Sequence, residues 1–443
     1  GEKEVITDFD QIKAIDEGFN ASTWIYAIIA KNAKKFSSIP RYLYDEEKLM
    51  EEKAAKAPYQ TKAVNINKLF ESDLNKLLDR PNEYQGMSQF LCTLYAFYLA
   101  CGEAFIWLNR GDVKMKVDER GRLVERTDKE IDLKPILEMY VLPTQYMKVY
   151  TDPENVFGVS SYCLEVAGTK VPFRKGDIIH WKDLNLKFDA TTGEHLRGMT
   201  RLKPGAATTT ENKELVKGAV RRQQNDGAKG ILWTKNSAEE IGPAQESQIR
   251  QVVNAKVNSN DIRGAVALLT GLEWDYINIA TGSEYLNDVK VRVKNEQELC
   301  ALFDTPHLLF VPTDATLANL ENAKKNWIND AIIPPSKELD DLFNLRLLPP
   351  FQLVGKAKII SDFTELPEMQ QDMGKMVTAL SAAWWLSPNQ KLIAQGYEAR
   401  TEEEFNEPWI IGNARPLSKV IEGFEDDGFN EIDEELKKRG LNR

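Results

Sequence analysis

The sequence is poor in the residues and motifs on which most enzyme sites depend. Its 443 residues contain three histidines and four cysteines, and no two cysteines have the C-x-x-C spacing of a zinc site. A glycine-rich phosphate loop, an H-E-x-x-H helix and a G-x-S-x-G turn are absent from the sequence. The cysteine usage suggests free thiols in a reducing compartment. We therefore expect no catalysis, no bound metal and no cofactor.

The sequence also lacks a surplus of positive charge and a long apolar run. It carries 57 Lys and Arg against 68 Asp and Glu, which gives a net charge of −11. This balance argues against a generic high-affinity DNA surface, which requires clustered basic residues. No apolar run reaches the roughly 20 residues of a transmembrane helix, so we expect no membrane partner. With 42% hydrophobic residues, the chain can still bury sizeable cores.

The chain instead contains a mixture of helical and strand patterns. Residues 1–18 are polar and are expected to lie loosely at the surface. Amphipathic helices are predicted over 20–37 and 88–100, each followed by a strand. Glu103, at the second of these junctions, is expected to be a solvated residue. Short β-branched and aromatic runs over 136–181 predict a small antiparallel barrel or sandwich. The predicted fold class is therefore α+β.

Two long helices are predicted on either side of a compact α/β unit. The helices span about 200–225 and 285–303, and the unit between them spans 229–282. The first helix carries a basic stripe at near-helical spacing, formed by Lys213, Lys217, Arg221 and Arg222. Two glutamates lie close to this stripe in sequence, so an ordinary solvated helix face is an alternative interpretation.

The most informative stretch spans residues 305–350. An apolar patch is followed by a polar segment rich in small residues. Helical periodicity then starts at Leu320 and is interrupted by Pro334 and Pro335, because proline lacks an N–H and its ring clashes with the preceding turn. We predict a flexible loop followed by one long helix, 320–347, that is kinked at the double proline.

Several motifs occur in the order found in the portal proteins of tailed bacteriophages. LLDRPN at 77–82, with the helix and strand ending in GEAFIWLNR, resembles the L-L-x-x-P-N…F…G-x-A-Y-x-x-I-x-R pattern of that family. FDTPHLL at 303–309 resembles its F-x-V-P-P-x-L-L turn, with His307 in place of one proline. SSIPRYLY at 37–44 resembles its S-x-P-x-x-L-Y motif. These motifs belong to a resemblance to the HK97-like portal family that covers about residues 20–395.

The resemblance implies a multidomain, ring-forming subunit with wing, stem, clip and crown. The implied domains are the wing at 1–199 (including the barrel-like 136–181), the first stem helix at 200–228, the clip at 229–282, the second stem helix at 283–305, the second wing part at 306–365, and the crown with the C-terminal tail at 366–443. The second wing part would carry a tunnel loop at 312–323 ahead of the kinked helix.

The resemblance also implies a function. Family members form a dodecameric ring at one vertex of the capsid in the virion, after assembly in the host cytoplasm. Double-stranded DNA passes through the ring, which would bind the terminase large subunit, the head–tail adaptor and the major capsid protein. An acidic chain suits such a conduit, because each neutralised phosphate adds affinity for DNA and would slow its passage.

Candidate DNA contacts lie in the tunnel loop and the first part of the kinked helix. These residues are Thr313, Asp314, Thr316, Asn319, Asn322, Lys324 and Lys325. For the two lysines, the alternative is an exposed helix face with no role in DNA binding. Two other protein classes remain open: a ring protein of the tail or baseplate and, with less support, an enzyme that processes nucleic acids.

Overall fold

The structure is a computed structural model that describes residues 2–49, 69–111, 132–225, 230–234, 243, 247, 274–278, 282–312, 316–363, 366–395, 397, 399–410 and 415–416. Helices and antiparallel strands are mixed along these ranges, and the predicted α+β class is confirmed. Most of the α/β unit predicted at 229–282, and the tail beyond residue 416, lie outside the described residues.

The helices follow from apolar periodicity and from capping side chains at their first turns. The Ser22 hydroxyl accepts a hydrogen bond from the Ile25 amide and caps the first long helix. Gly102, with φ of 76°, ends the third helix in the left-handed region that favours glycine. The helices are α1 Thr23–Ser37, α2 Asp73–Asp79, α3 Met87–Cys101, α4 Ala206–Asn225, α5 Gly282–Leu302, α6 Leu317–Trp327, α7 Ile333–Leu347, α8 Pro367–Ala382 and α9 Pro388–Ala394.

The strands pair into small antiparallel sheets. They are β1 Arg41–Asp45, β2 Glu103–Asn109, β3 Glu138–Leu142, β4 Met147–Thr151, β5 Val159–Val166, β6 Thr169–Arg174, β7 Ile178–Lys182, β8 Gly230–Thr234, β9 Trp274–Asn278, β10 Ala357–Ser361, β11 Trp409–Ile410 and β12 Arg415–Pro416. Two sheets have three strands, in the orders β3-β2-β7 and β4-β5-β6. The pairs β1-β10, β8-β9 and β11-β12 form two-stranded sheets.

The barrel expected over 136–181 is wrong, because the strands of that region form two open sheets. β2 comes from earlier in the chain and lies between β3 and β7, where it pairs with both. A short 3-10 turn, Thr144–Tyr146, carries the chain from β3 into the second sheet. Phe105 of β2, Val149 of β4 and Tyr162 of β5 belong to one apolar cluster between the two sheets. The sheets therefore pack face to face without closing into a barrel.

The N-terminal segment is not loose at the surface, as its polarity had suggested. The Val5 amide donates to the carbonyl of Val149 at 2.8 Å, and Glu4 forms a β-bridge with Tyr150. Val5 is buried in the cluster between the sheets. The segment thus covers the free edge of β4, and pairing with a distant strand is invisible to local polarity.

The main core joins the N-terminal part of the chain to residues 327–366. Its cluster includes buried residues of α1, α3, β2 and α7. Phe36 stacks on Tyr95 with ring centroids 4.2 Å apart, and Tyr98 stacks on Trp181 at 4.0 Å. Because α1 and α3 lie against the segment around α6 and α7, they are in position to anchor it.

The helices α4 and α5 pack against each other in antiparallel fashion. Thr208 donates to Glu298 at 3.2 Å, and Asn295 donates to Glu211 at 3.0 Å. The residue numbers of the contacting pairs therefore increase along α4 while they decrease along α5. α4 begins at Ala206, later than the predicted 200, because Lys203 precedes a proline and is disfavoured in the helical region.

Candidate functional site

Residues 317–347 form a continuous helical segment with one irregular turn. α6 ends at Trp327, a π-turn spans Ile328–Ile332, and α7 continues from Ile333. The Thr316 hydroxyl accepts a hydrogen bond from the Asn319 amide at 3.3 Å, which caps α6 at its start. The helix therefore begins at Leu317, and the predicted loop boundary of 323 is wrong. The Thr316 cap is a sequence signal that apolar periodicity alone had missed.

The sequence-predicted DNA contacts divide into three groups. Asn319, Asn322 and Lys324 are exposed side chains on α6, whereas Lys325 is half-buried. Thr316 is exposed and has the capping role described above. Thr313 and Asp314 lie outside the described residues. α6 also exposes Leu317, with 74% of its surface accessible.

The irregular turn lies before the double proline and not at it. The Ile333 amide donates to the carbonyl of Ile328, five residues earlier, where an α-helix would use the residue four earlier. Pro334 and Pro335 then occupy the first turn of α7, where a missing N–H is tolerated best. The structure thus has a π-turn directly before the double proline, and a kink at Pro334 and Pro335 stays a prediction.

A buried tyrosine compensates for one of the two missing amides. In a regular helix the carbonyl of Ala331 would accept from the amide at position 335, which proline lacks. The Tyr95 hydroxyl, from α3, donates to this carbonyl at 2.7 Å. Tyr95 is buried, and burial raises its pKa far above the usual value, so the hydroxyl stays protonated as a donor. The irregular turn is therefore fixed to α3.

Three side chains of α1 contact the segment around α6. Asn32 accepts from the Trp327 indole N–H at 2.5 Å and donates to the Thr305 hydroxyl at 2.8 Å. The Lys31 ammonium lies over the Trp327 ring, 5.4 Å from its centroid. Trp24 stacks on His307, with ring centroids 5.5 Å apart. The positions 24, 31 and 32 fall on one face of α1, so one helix holds the segment.

One positive charge near α6 is paired with a carboxylate. Lys35 of α1 forms hydrogen bonds of 2.7 and 2.8 Å with both carboxylate oxygens of Glu368. Burial would raise the pKa of Glu368, but the Lys35 hydrogen bonds and the Lys324 charge hold it below the usual value. Burial lowers the pKa of Lys31, and the positive charge of Lys324 lowers it further.

The basic stripe predicted from the sequence lies on α4. Lys213 and Lys217 are exposed, and Lys217 forms an ion pair of 2.6 Å with Glu214. An exposed pair of this kind contributes little to stability. Arg221 and Arg222 belong to the C-terminal part of α4. The structure does not bring the stripe together with Lys324 or Lys325 in any described contact.

Glu103 is a buried structural centre and not the solvated residue expected from the sequence. Its side chain is 0% exposed and accepts hydrogen bonds from His180 at 2.8 Å and from the Arg197 guanidinium Nε at 2.6 Å. It also accepts from Gln11 at 2.5 Å and from the Gly198 amide at 3.0 Å. These donors come from three separate parts of the chain, which local sequence reasoning could not bring together.

No group of His, Cys, Asp or Glu within the described residues could hold a metal ion. The four cysteines are free thiols, as the sequence predicts. Among the described helices, none is both long and apolar enough to cross a membrane.

Comparison with known proteins identifies a protein family that matches this chain. The family model described as phage portal protein matches residues 48–396. The solved structure titled "Neck of empty GTA particle computed with C6 symmetry" is 17% identical, with a TM-score of 0.63 over 90% of this chain and 96% of that chain. "Neck of native GTA particle computed with C12 symmetry" is 16% identical, with a TM-score of 0.62 over the same shares.

A further solved structure is an HK97 family phage portal protein from Corynebacterium diphtheriae, 12% identical, with a TM-score of 0.43 over 82% of this chain and 99% of that chain. A search of the curated proteins gives no match. Because the family model spans most of the sequence, this chain belongs to the phage portal protein family. The resemblance drawn from the sequence motifs is confirmed at that level.

Proposed function

We propose that this chain is the subunit of a homo-oligomeric portal ring at one capsid vertex of a virion. Family membership supports the role. The likeness in fold to particle necks, one computed with C12 symmetry, supports a ring of twelve subunits. In this proposal the ring is assembled in the host cytoplasm and acts as the conduit for double-stranded DNA during packaging and ejection. The role is structural, without catalysis.

The DNA-facing part of the proposed channel is α6 with the segment that precedes it. The observation that carries this assignment is the asymmetry of α6, which buries Trp327 against α1 and exposes Asn319, Asn322 and Lys324. Polar amides and one or two cations per subunit give weak phosphate contacts. Weak contacts suit a conduit, because affinity grows with every phosphate neutralised and tight binding would arrest the DNA.

The proposed partners occupy different domains. We assign the terminase large subunit and the head–tail adaptor to the clip at 229–282, because α4 and α5 are antiparallel and place that insertion at their shared far end. β8 and β9 form a two-stranded sheet there, whose edges can pair with another chain. The major capsid protein is assigned to the wing. The wing at 1–199 and 306–365 and the crown at 366–443 remain part of this proposal.

The test replaces Lys324 and Lys325 with Glu and measures the genome length packaged in particles. We expect shorter genomes or poorer retention of DNA with normal ring assembly, since repulsion replaces weak phosphate attraction on every subunit. The matched control is the double replacement of Lys175 and Lys356, both exposed and remote from α6 in sequence, with Glu. Normal packaging by the Lys324 and Lys325 variant would show that α6 does not contact DNA.

A further inference from the structure

One asparagine contacts both ends of the segment that contains α6. The Asn32 amide nitrogen donates to the Thr305 hydroxyl at 2.8 Å, just beyond the end of α5. Its carbonyl oxygen accepts from the Trp327 indole N–H at 2.5 Å, at the last residue of α6. Asn32 is 0% exposed. A single buried side chain therefore closes residues 305–327 into a loop with fixed ends.

The hydrogen bonds at Asn32 have only one consistent direction. An indole N–H can only donate, so the atom facing Trp327 must be the amide oxygen of Asn32. The amide nitrogen then faces Thr305, whose hydroxyl donates a hydrogen bond to the carbonyl of Phe303 at 2.9 Å. The position thus requires one donor and one acceptor on a short side chain. Aspartate would lack the donor, and leucine would lack both groups.

Two further side chains on the same face of α1, Trp24 and Lys31, contact aromatic rings of the segment. Trp24 contacts Phe310 edge-on, with centroids 5.6 Å apart, in addition to its stacking on His307. The Lys31 ammonium lies 5.2 Å from the centroid of Phe310 and also faces Trp327. Cation–π contacts of this kind gain strength where water is excluded. Both ends of the segment are therefore held by one helix.

We propose that Asn32 is a positioning residue for the DNA-facing segment. Asn32 fixes the position of α6 relative to the C-terminal end of α5, so these two elements move together. This inference rests on the proposed channel function of α6. It predicts that loss of Asn32 loosens both ends of 305–327 while the stacked core of α1 and α3 stays intact, since that core is made by other side chains such as Phe36.

Hydrogen exchange of the full-length protein tests the proposal directly. Asn32→Leu should raise the exchange rates of amides in 305–312 and 317–327 by about 10-fold, because two buried polar groups lose their partner. Asn82→Leu is the matched control, since Asn82 is also buried but donates to the Met139 carbonyl. The control should leave those amides at the wild-type rate. Unchanged exchange in Asn32→Leu would overturn the proposal.

A milder variant keeps the test usable where Asn32→Leu fails to fold. Thr305→Val removes one of the two contacts and retains the bond between Asn32 and Trp327, so exchange in 305–312 should rise by about 3-fold. Wild-type exchange in this variant would also overturn the proposal.

Packaged genome length distinguishes a failure of the role of Asn32 from a failure of the proposed channel function. If the variants loosen 305–327 and package less DNA in intact rings, Asn32 positions the DNA-facing segment as proposed. If they loosen the segment and package normally, the positioning role of Asn32 in DNA passage is overturned, while the Lys324 and Lys325 variant decides separately whether α6 lines the channel. If exchange is unchanged while the Lys324 and Lys325 variant packages poorly, the proposed function stands and the role of Asn32 fails alone.

Discussion

At the scale of single residues, the chain depends on buried polar side chains that connect distant segments. Glu103 is the clearest case, because Gln11, His180 and Arg197 all donate to it. Burial alone would raise the pKa of Glu103, but the Arg197 charge and the His180 hydrogen bond hold it far below its usual value. The network joins the N-terminal segment, the first three-stranded sheet and the entry to α4.

Close backbone contact strengthens the same junction. A Cβ atom at Gly198 would lie 2.0 Å from the carbonyl oxygen of Gly102, so no larger residue fits there. The Asp183 amide donates to that same carbonyl at 2.7 Å. A Cβ at Gly102 would in turn lie 2.3 Å from the Met199 backbone. The G-E pair at 102–103 in the portal-like motif therefore has a structural reason: Gly102 permits the close backbone approach, and Glu103 accepts the hydrogen bonds.

The network predicts a loss of stability at mildly acidic pH. Burial lowers the pKa of His180, so below about pH 6.5 the unfolded chain takes up a proton that the folded chain does not. The lowered pKa of Glu103 acts in the same direction below its usual value of 4.5. The free energy of unfolding should therefore fall as the pH decreases, and urea denaturation at about pH 7.5 and 5.5 measures it.

His180→Gln provides the control for this prediction. Glutamine can donate to Glu103 but does not titrate, so the variant should lose less stability between the two pH values than the wild type. The other histidines, His195 and His307, are present in both proteins and cancel in the comparison. Equal losses in wild type and variant would show that His180 does not contribute to the pH dependence.

At the scale of elements, the π-turn between α6 and α7 is the unusual feature. It precedes Pro334 and Pro335, and Tyr95 satisfies the Ala331 carbonyl. Tyr95→Phe should reduce the free energy of unfolding by about 1–3 kcal/mol, because a buried carbonyl loses its partner. Tyr397→Phe, at an exposed site, should change it by less than about 0.5 kcal/mol. Urea denaturation measures both.

Pro335→Ala tests whether the Tyr95 hydroxyl replaces the backbone amide that Pro335 lacks. Alanine restores an N–H that can reach the Ala331 carbonyl, so Tyr95→Phe should cost less stability in the Pro335→Ala background. A double-mutant cycle isolates this coupling. Strict additivity of the two substitutions would mean that the hydroxyl does not replace the missing amide.

Local sequence patterns predict some of these elements and not others. α1 and α3 follow from apolar periodicity within three residues of their observed ends. The π-turn could not be read from the sequence, because it depends on Tyr95 reaching across from α3. The barrel failed for a related reason: strand periodicity predicts β2, β3 and β7 but not which strands pair. Asn32 is the one polar residue among the buried positions of α1, and only its two distant partners give it a role.

At the scale of the whole molecule, the charge balance predicts how strongly the ring binds DNA. The chain carries a net charge of −11, and few exposed lysines on α6 face the proposed channel. Duplex binding by the assembled protein should therefore be weak and should fall steeply with salt, as expected when a few lysines displace counterions. Titration of a labelled duplex at several salt concentrations measures this. Nanomolar binding that is insensitive to salt would be incompatible with a sliding conduit.

The central claim is that this chain forms a closed ring whose channel is lined by α6. Electron cryomicroscopy of the purified full-length protein tests it most directly, because one map reports both the assembly and the position of every helix. The account predicts closed rings with a central channel, with Asn319, Asn322 and Lys324 facing the axis and Trp327 turned toward α1. A monomer at micromolar concentration without rings, or a ring with α6 far from the axis, would contradict it.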